Sequence, residues 1–142
     1  MDKIKEFSNS NKINSDDQMS IIDILPNTIS WSYKGKIYKI ENEDKVIAVL
    51  LENNNQIAVI EAPSNKTHNK AYIVDNTGQV IMNIYEIFLR KNNSKYCGKF
   101  IIFTDVYYIK DELYFFLVLN NTDFRLRIDT INLQIGDLIE SR

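Results

Sequence analysis

The chain has 142 residues, a formal net charge of −2 at pH 7, one cysteine and one histidine. A chain of this length folds as a single domain that buries about 70% of its unfolded surface, and one cysteine excludes an internal disulfide. The small negative charge disfavours nucleic acid binding, which takes a clear excess or stripe of basic residues. One Cys and one His also cannot complete a tetrahedral zinc site.

The beginning of the chain is polar and lacks hydrophobic periodicity. We therefore expect residues 1–20 to form a flexible N-terminal arm and residues 21–142 to form a single antiparallel β domain. The charged residues 1–7 do not resemble a signal peptide, and no later apolar run approaches the roughly 18 residues of a membrane span. The sequence predicts a soluble cytoplasmic protein without membrane association.

Short strands separated by turns rich in Asn, Asp and Gly follow Trp31, which is typical of an antiparallel meander. One segment is ambiguous, because the apolar residues of 80–90 also have the spacing of a short helix. The predicted strands lie near Lys36–Glu41, Lys45–Leu51, Ile57–Glu61, Lys70–Asp75, Val80–Phe88, Phe100–Tyr108, Glu112–Leu119, Phe124–Asp129 and Gln134–Glu140.

The segment 113–129, LYFFLVLNNTDFRLRID, contains two kinds of strand. Leu113–Leu119 is apolar at every position, which predicts a strand that is covered on both faces. Asp123–Asp129 alternates apolar and charged residues, which predicts one buried and one wetted face. Asn120 and Asn121 tolerate the left-handed backbone of a tight hairpin between them.

Segments 45–62 and 112–129 share a pattern of apolar run, Asn-rich turn and alternating strand. This similarity indicates meander repeats, although antiparallel hairpins in general share such a pattern. The predicted fold class is all-β with at most one short helix. Its antiparallel β-meander repeats form a small sandwich, a barrel or a half-propeller-like sheet.

No catalytic, metal-binding or cofactor-binding motif is recognisable, so we predict no catalytic residue, no metal and no cofactor. The single histidine, His68, lies in a polar stretch typical of an exposed turn. Asp75-Asn76-Thr77-Gly78 superficially resembles a calcium loop but lacks the further oxygen ligands and closing carboxylate. We interpret it as a hairpin turn in which Gly78 supplies a positive φ.

The first functional hypothesis is a non-enzymatic protein-binding module, in particular an immunity-type protein that neutralises a bacterial toxin. The frequent Asn, Ile and Lys indicate an AT-rich genome, of a bacterium or its phage. An acidic surface suits a basic toxin or nuclease partner, because complementary charge accelerates association. The residues predicted to contact this partner are Asp105, Asp111, Glu112 and Asp123.

The alternative hypothesis is a β-barrel or sandwich that binds a small molecule in an aromatic-lined pocket near Tyr107, Tyr114 and Phe116. An enzyme ranks third, with a carboxylate-based hydrolase as its least implausible form. A subunit of a larger β assembly also remains open. Since Leu113–Leu119 needs cover on both faces, another chain could supply part of that cover.

Overall fold

The computed structural model describes residues 2–10, 25–92 and 100–141. Eleven strands and one helix lie in these ranges, and the strands form three antiparallel sheets. The elements are β1 Lys5–Ser10, β2 Thr28–Tyr33, β3 Lys36–Glu41, β4 Val46–Leu50, β5 Ile57–Glu61, β6 Lys70–Val74, β7 Val80–Asn83, α1 Ile84–Lys91, β8 Ile101–Ile109, β9 Glu112–Leu119, β10 Thr122–Asp129 and β11 Gln134–Glu140.

The three sheets stack as layers, with the second sheet in the middle. The first sheet contains β1–β3, the second β4–β7 and the third β8–β11. Residues 57–60 and 71–74 of β5 and β6 are buried at every position, as expected for strands with both faces covered. One core lies between the first and second sheets, and the other between the second sheet, α1 and the third sheet.

This architecture confirms the predicted all-β fold of antiparallel meanders with one short helix, and of the three proposed arrangements it is the sandwich. Within the described ranges the sheets stay open rather than closing into a barrel. The helix has 8 residues. No helix in those ranges has the length and apolarity to cross a membrane.

Trp31 anchors the core between the first two sheets. Its side chain is 1% exposed and stacks on Tyr38 with ring centroids 5.8 Å apart. The indole N–H donates to the backbone oxygen of Asn76 at 2.8 Å. Gly78 of the same turn has a φ of +85° and would place a Cβ 3.7 Å from Trp31. The predicted hairpin turn at Asp75–Gly78 is therefore confirmed, and it is joined to a core residue of the first sheet.

The predicted strands from Lys36 onwards are present, with ends shifted by at most two residues, except at Val80–Phe88. There the strand prediction was wrong beyond Asn83, because β7 ends and α1 begins. The Asn83 side chain accepts a hydrogen bond from the backbone N–H of Glu86 at 3.1 Å. This cap satisfies a backbone N–H of the first helical turn that has no partner within the helix. The apolar residues of this segment fit both the strand and the helix periodicity, and after Asn83 they form a helix.

Part of the expected flexible arm is a strand in the structure. Lys5–Ser10 pairs with β2, and Ile4 just before it is 5% exposed within the first core. The sequence did not predict this strand because its apolar residues, Ile4 and Phe7, are three positions apart, whereas side chains on one face of a strand are two apart. A register shift between Lys5 and Ser8 accommodates this spacing. Residues 11–20 of the expected arm lie outside the described ranges.

Candidate protein-binding surface

Strand β9 has one buried and one partly open face. Leu113, Phe115 and Leu117 point into the core and are at most 2% exposed. Tyr114 and Phe116 point away from it and are half-buried. The prediction that Leu113–Leu119 is covered on both faces was therefore wrong for the described residues. The strands with double cover are those of the middle sheet.

The outward side chains of the third sheet form a regular grid, because residues directly opposite each other on antiparallel strands point to the same side. We call this grid the outer face. Its central row runs from β8 to β11, and a row of three residues flanks it on either side. The rows are Asp105, Phe116, Arg125 and Ile139 in the centre, Tyr107, Tyr114 and Arg127 on one side, and Ile102, Val118 and Asp123 on the other.

A β-bulge places Asp105 on the outer face. The register of β8 against β9 shifts between Phe103 and Asp105, so both the buried Phe103 and the buried Val106 face the core. Strict alternation from Phe103 would have pointed Asp105 inward. The side chain of Asn69 holds the backbone next to the bulge. Its Nδ2 donates to the oxygen of Phe103 and its Oδ1 accepts from the N–H of Phe103, each at 2.8 Å.

Three aromatic rings occupy the centre of the outer face. Tyr107 and Phe116 stack with centroids 4.4 Å apart and planes at 16°, and Tyr114 lies 6.4 Å from Phe116. Tyr107 is 44% exposed. The solvent side of an antiparallel sheet is ordinarily polar. Aromatic residues and Arg are instead enriched in the centres of protein–protein interfaces.

Two charged groups beside these rings lack an oppositely charged partner among the described residues. The Arg125 guanidinium lies 5.0 Å from the centroid of the Tyr114 ring, and its buried Nε donates no hydrogen bond within those residues. Within the described part of the chain, the Asp105 carboxylate accepts only the N–H of Val106, at 2.8 Å. Arg127, in contrast, has its Nε 3.6 Å from Oε2 of Glu112. Arg125 and Asp105 are thus partly desolvated and available to groups outside the sheet.

We expect Asp105→Asn to stabilise the free protein at neutral pH. Burial raises the pKa of the Asp105 carboxyl above its ordinary value of 3.8, while the hydrogen bond from Val106 acts in the opposite direction. The pKa of Asp105 is higher in the folded state than in the unfolded state. The contribution of the Asp105 carboxyl to folding stability is therefore fully present below its unfolded-state pKa. It is lost as the pH rises through the folded pKa. Asn keeps an acceptor for Val106 but carries no charge.

The gain should be roughly a few tenths of a kcal/mol near neutral pH, since water screens a half-buried carboxylate. Urea unfolding of both proteins near pH 3 and near pH 7 measures it, with the difference appearing only at the higher pH. A variant that is less stable than the wild type at both pH values would contradict this assignment.

The four predicted acidic contact residues lie at two places along the third sheet. Asp105 and Asp123 border a groove of about 270 Å³ together with Tyr107 and Phe116. Asp111 and Glu112 lie at the β8–β9 hairpin and border a larger cleft of about 570 Å³. Glu52, Arg127 and Asp129 also line this cleft, which gives it a net negative charge.

The aromatic residues of the ligand-binding alternative lie on an open sheet face. Tyr107 and Phe116 line the smaller groove, and Tyr114 is not among its lining residues. A pocket that encloses a small molecule typically has a volume of about 300–1,000 Å³ and covers most of the ligand. Sequence reasoning found these rings and the acidic residues separately. It missed that Asp105 and Asp123 share one face with the rings, and it did not single out Arg125.

His68 lies in an exposed turn and is not part of the outer face. Its Nδ1 is 3.7 Å from Oδ2 of Asp44, and its side chain is 66% exposed. In residues 2–10, 25–92 and 100–141, no three His, Cys, Asp or Glu side chains are arranged to hold a metal ion.

Comparison with solved structures provides a structural relative. No protein-family model and no curated protein matches the sequence. A solved structure shares the fold. It is the structure of Tne2 in complex with Tni2, and one of its chains matches with a TM-score of 0.72 and 14% identity over 98% of this chain and 99% of that chain. At this identity the match shows the fold alone, in a neighbour that was solved as a complex of two proteins.

Proposed function

We propose that this chain is a non-enzymatic protein-binding module of the immunity type, which binds a toxin in the bacterial cytoplasm and neutralises it. The observation that carries the proposal is the outer face of the third sheet. Its centre holds the stacked rings of Tyr107 and Phe116, and beside them lie Asp105 and Arg125, whose charges no described residue pairs. This combination suits the centre of a binding site for another protein.

The energetics favour a folded protein as the partner. A flat, half-buried aromatic cluster gains affinity only when a large complementary surface excludes water from it, as happens in protein interfaces. Covering the rings would also complete the burial of β9, whose outward side chains are only half-buried in the free chain. Charged groups that are partly desolvated lose less hydration on binding than fully exposed ones, so their pairing costs less.

The toxin-neutralising part of the proposal rests on the acidic cleft and on the structural neighbour. Glu52, Asp111, Glu112 and Asp129 concentrate negative charge at one end of the third sheet. Such a surface accelerates association with a basic partner, such as a nuclease, and can cover its active site. The neighbour with the same fold was solved in the complex of Tne2 with Tni2.

Capture from a lysate of the native host, followed by native mass spectrometry, tests the proposal. We expect one stoichiometric protein partner that slows growth when expressed alone and is harmless when expressed with this chain. The variants Asp111→Asn/Glu112→Gln and Asp105→Asn/Asp123→Asn should each bind it about tenfold more weakly, mainly through slower association. The control Glu41→Gln/Glu86→Gln removes the same charge from exposed positions outside the third sheet and should bind normally.

Each part of the proposal has its own contradicting result. Absence of a stoichiometric protein would exclude the binding module, and a small molecule retained through purification would support the ligand-binding alternative. A partner without effect on growth would exclude the immunity role. A partner held equally well by all variants would place the contact away from the predicted acidic residues.

A further inference from the structure

The outer face carries two opposite charges at matching positions on either side of its central strand. In the central row, Asp105 on β8 and Arg125 on β10 flank Phe116 on β9. Neighbouring strands are about 4.8 Å apart, so the two opposite charges stand at roughly equal distances from the ring, on strands about 10 Å apart. The next row has an aromatic ring, Tyr107, on β8 and again a cation, Arg127, on β10.

This arrangement is self-complementary under one particular symmetry. Consider a second copy placed face to face, related by a two-fold axis that runs parallel to β9. The axis exchanges β8 of one copy with β10 of the other at the same level along the strands. Asp105 then faces Arg125 of the second copy, and Tyr107 faces Arg127, each contact occurring twice. Strands aligned in this way are a preferred packing of two sheets.

The central contacts of this pairing match the two charges that lack an oppositely charged partner among the described residues of the free chain. The Arg125 guanidinium gains a carboxylate, and the Asp105 carboxylate gains a cation. Tyr107 receives Arg127 over its ring, in a cation–π contact that is worth roughly 0.5–1 kcal/mol at exposed sites. A two-fold axis across the strands would instead bring Asp105 against Asp105, a repulsive contact. The charge pattern therefore selects one of the two face-to-face arrangements.

We propose that the free chain pairs with a second copy of itself through the outer face, with Asp105 and Arg125 forming reciprocal ion pairs. The interface is isologous, so every contact is made twice and the assembly closes as a dimer. The pairing itself stands on the sheet alone. One consequence rests on the proposed function: since the partner protein uses the same face, binding a partner and binding a second copy exclude each other.

The size of the face sets the strength of this dimer. Only β8, β9 and β10 face their counterparts across this axis, and three strands of about eight residues give a flat area of roughly 400 Å² per copy. Stable interfaces bury about 800 Å² per partner. We therefore expect a dissociation constant in the micromolar range, weak enough for a tighter partner to displace the second copy.

Charge reversal with rescue tests the pairing by sedimentation velocity, over protein concentrations from about 1 to about 500 µM. The wild type should shift from monomer to dimer across this range. Asp105→Lys and Arg125→Glu each create like-charge contacts with the second copy and should weaken dimerisation at least about tenfold. An equimolar mixture of these two variants restores both ion pairs and should form the heterodimer, as the double variant should form the homodimer. The rescue shows that both variants are folded.

A matched control is Ile37→Lys, which adds one positive charge at a side chain that is 72% exposed on the first sheet. It should dimerise like the wild type. The proposal is overturned if the wild type stays monomeric throughout, if both reversals leave the dimer unchanged, or if the mixture of the two reversed variants fails to associate.

Adding the captured partner to the wild-type dimer separates this proposal from the proposed function. Displacement of the second copy by the partner supports both. A partner that binds without dissociating the dimer leaves the pairing in place and overturns the outer face as the partner's contact. A correct rescue pattern with no partner ever captured also leaves the pairing in place, and it is the proposed function that fails.

Discussion

Replacing Asn69 with Leu is expected to lower the free energy of unfolding by about 3 kcal/mol, a large fraction of the stability of a small domain. The Asn69 side chain is 8% exposed. Its amide donates to the oxygens of Phe103 and Ala62, at 2.8 and 3.2 Å, and accepts the N–H of Phe103 at 2.8 Å. Leu has a similar volume, so packing is kept while these buried backbone groups lose their partner. Each buried group left unpaired costs about 1–3 kcal/mol.

Urea unfolding of the variant measures this effect, and a residue of the same loop supplies the control. Asn65 accepts the N–H groups of Thr67 and His68 near the surface, where water can replace it. Asn65→Ala should therefore cost less than about 1 kcal/mol. Similar losses for the two variants would mean that the loop as a whole, rather than the bond to β8, stabilises the fold.

Local sequence patterns predicted most of this fold because strand alternation and tight turns are local properties. Asn120 and Asn121 have φ values of 52° and 72°, in the left-handed region that the predicted hairpin requires. The segment 80–90 could not be decided by periodicity, since its apolar residues satisfy a strand and a helix alike. The cap at Asn83 decided it.

The layer order could not be predicted from single strands. Leu113–Leu119 and Ile57–Ile60 are both apolar at successive positions, yet only the second segment is buried on both faces. Which sheet lies in the middle depends on how three sheets stack, and no strand carries that information in its own sequence. The similarity between segments 45–62 and 112–129 misleads in the same way, because β4 is an edge strand and β9 an inner one.

The candidate site depends on a contact between distant parts of the chain. Asn69 is 34 residues from Phe103, whose backbone it binds beside the bulge of β8. The bulge sends Asp105 outward to stand beside Phe116, where alternation alone would send it into the core. The acidic and aromatic residues were therefore identified from the sequence as separate candidates, and the long-range contact brings Asp105 into the aromatic face.

Removing the Tyr107 ring is the change expected to weaken partner binding most. Tyr107 is 44% exposed and stacks on Phe116 at the centre of the outer face. An aromatic residue at the centre of an interface contributes about 2 kcal/mol or more, so Tyr107→Ala should weaken binding roughly 30-fold. In the free chain the ring contributes mainly its stacking with Phe116, so the loss of folding stability should stay within about 1.5 kcal/mol.

The central claim is that the outer face of the third sheet is where this chain binds its partner protein. Titration calorimetry of the captured partner against the wild type, Tyr107→Ala and Ile37→Ala tests it most directly, since Ile37 is a 72% exposed apolar side chain on the first sheet. We predict a loss of affinity of about 30-fold for Tyr107→Ala and no change for Ile37→Ala. Full affinity for Tyr107→Ala, or a loss confined to Ile37→Ala, would contradict the claim and place the partner elsewhere on the molecule.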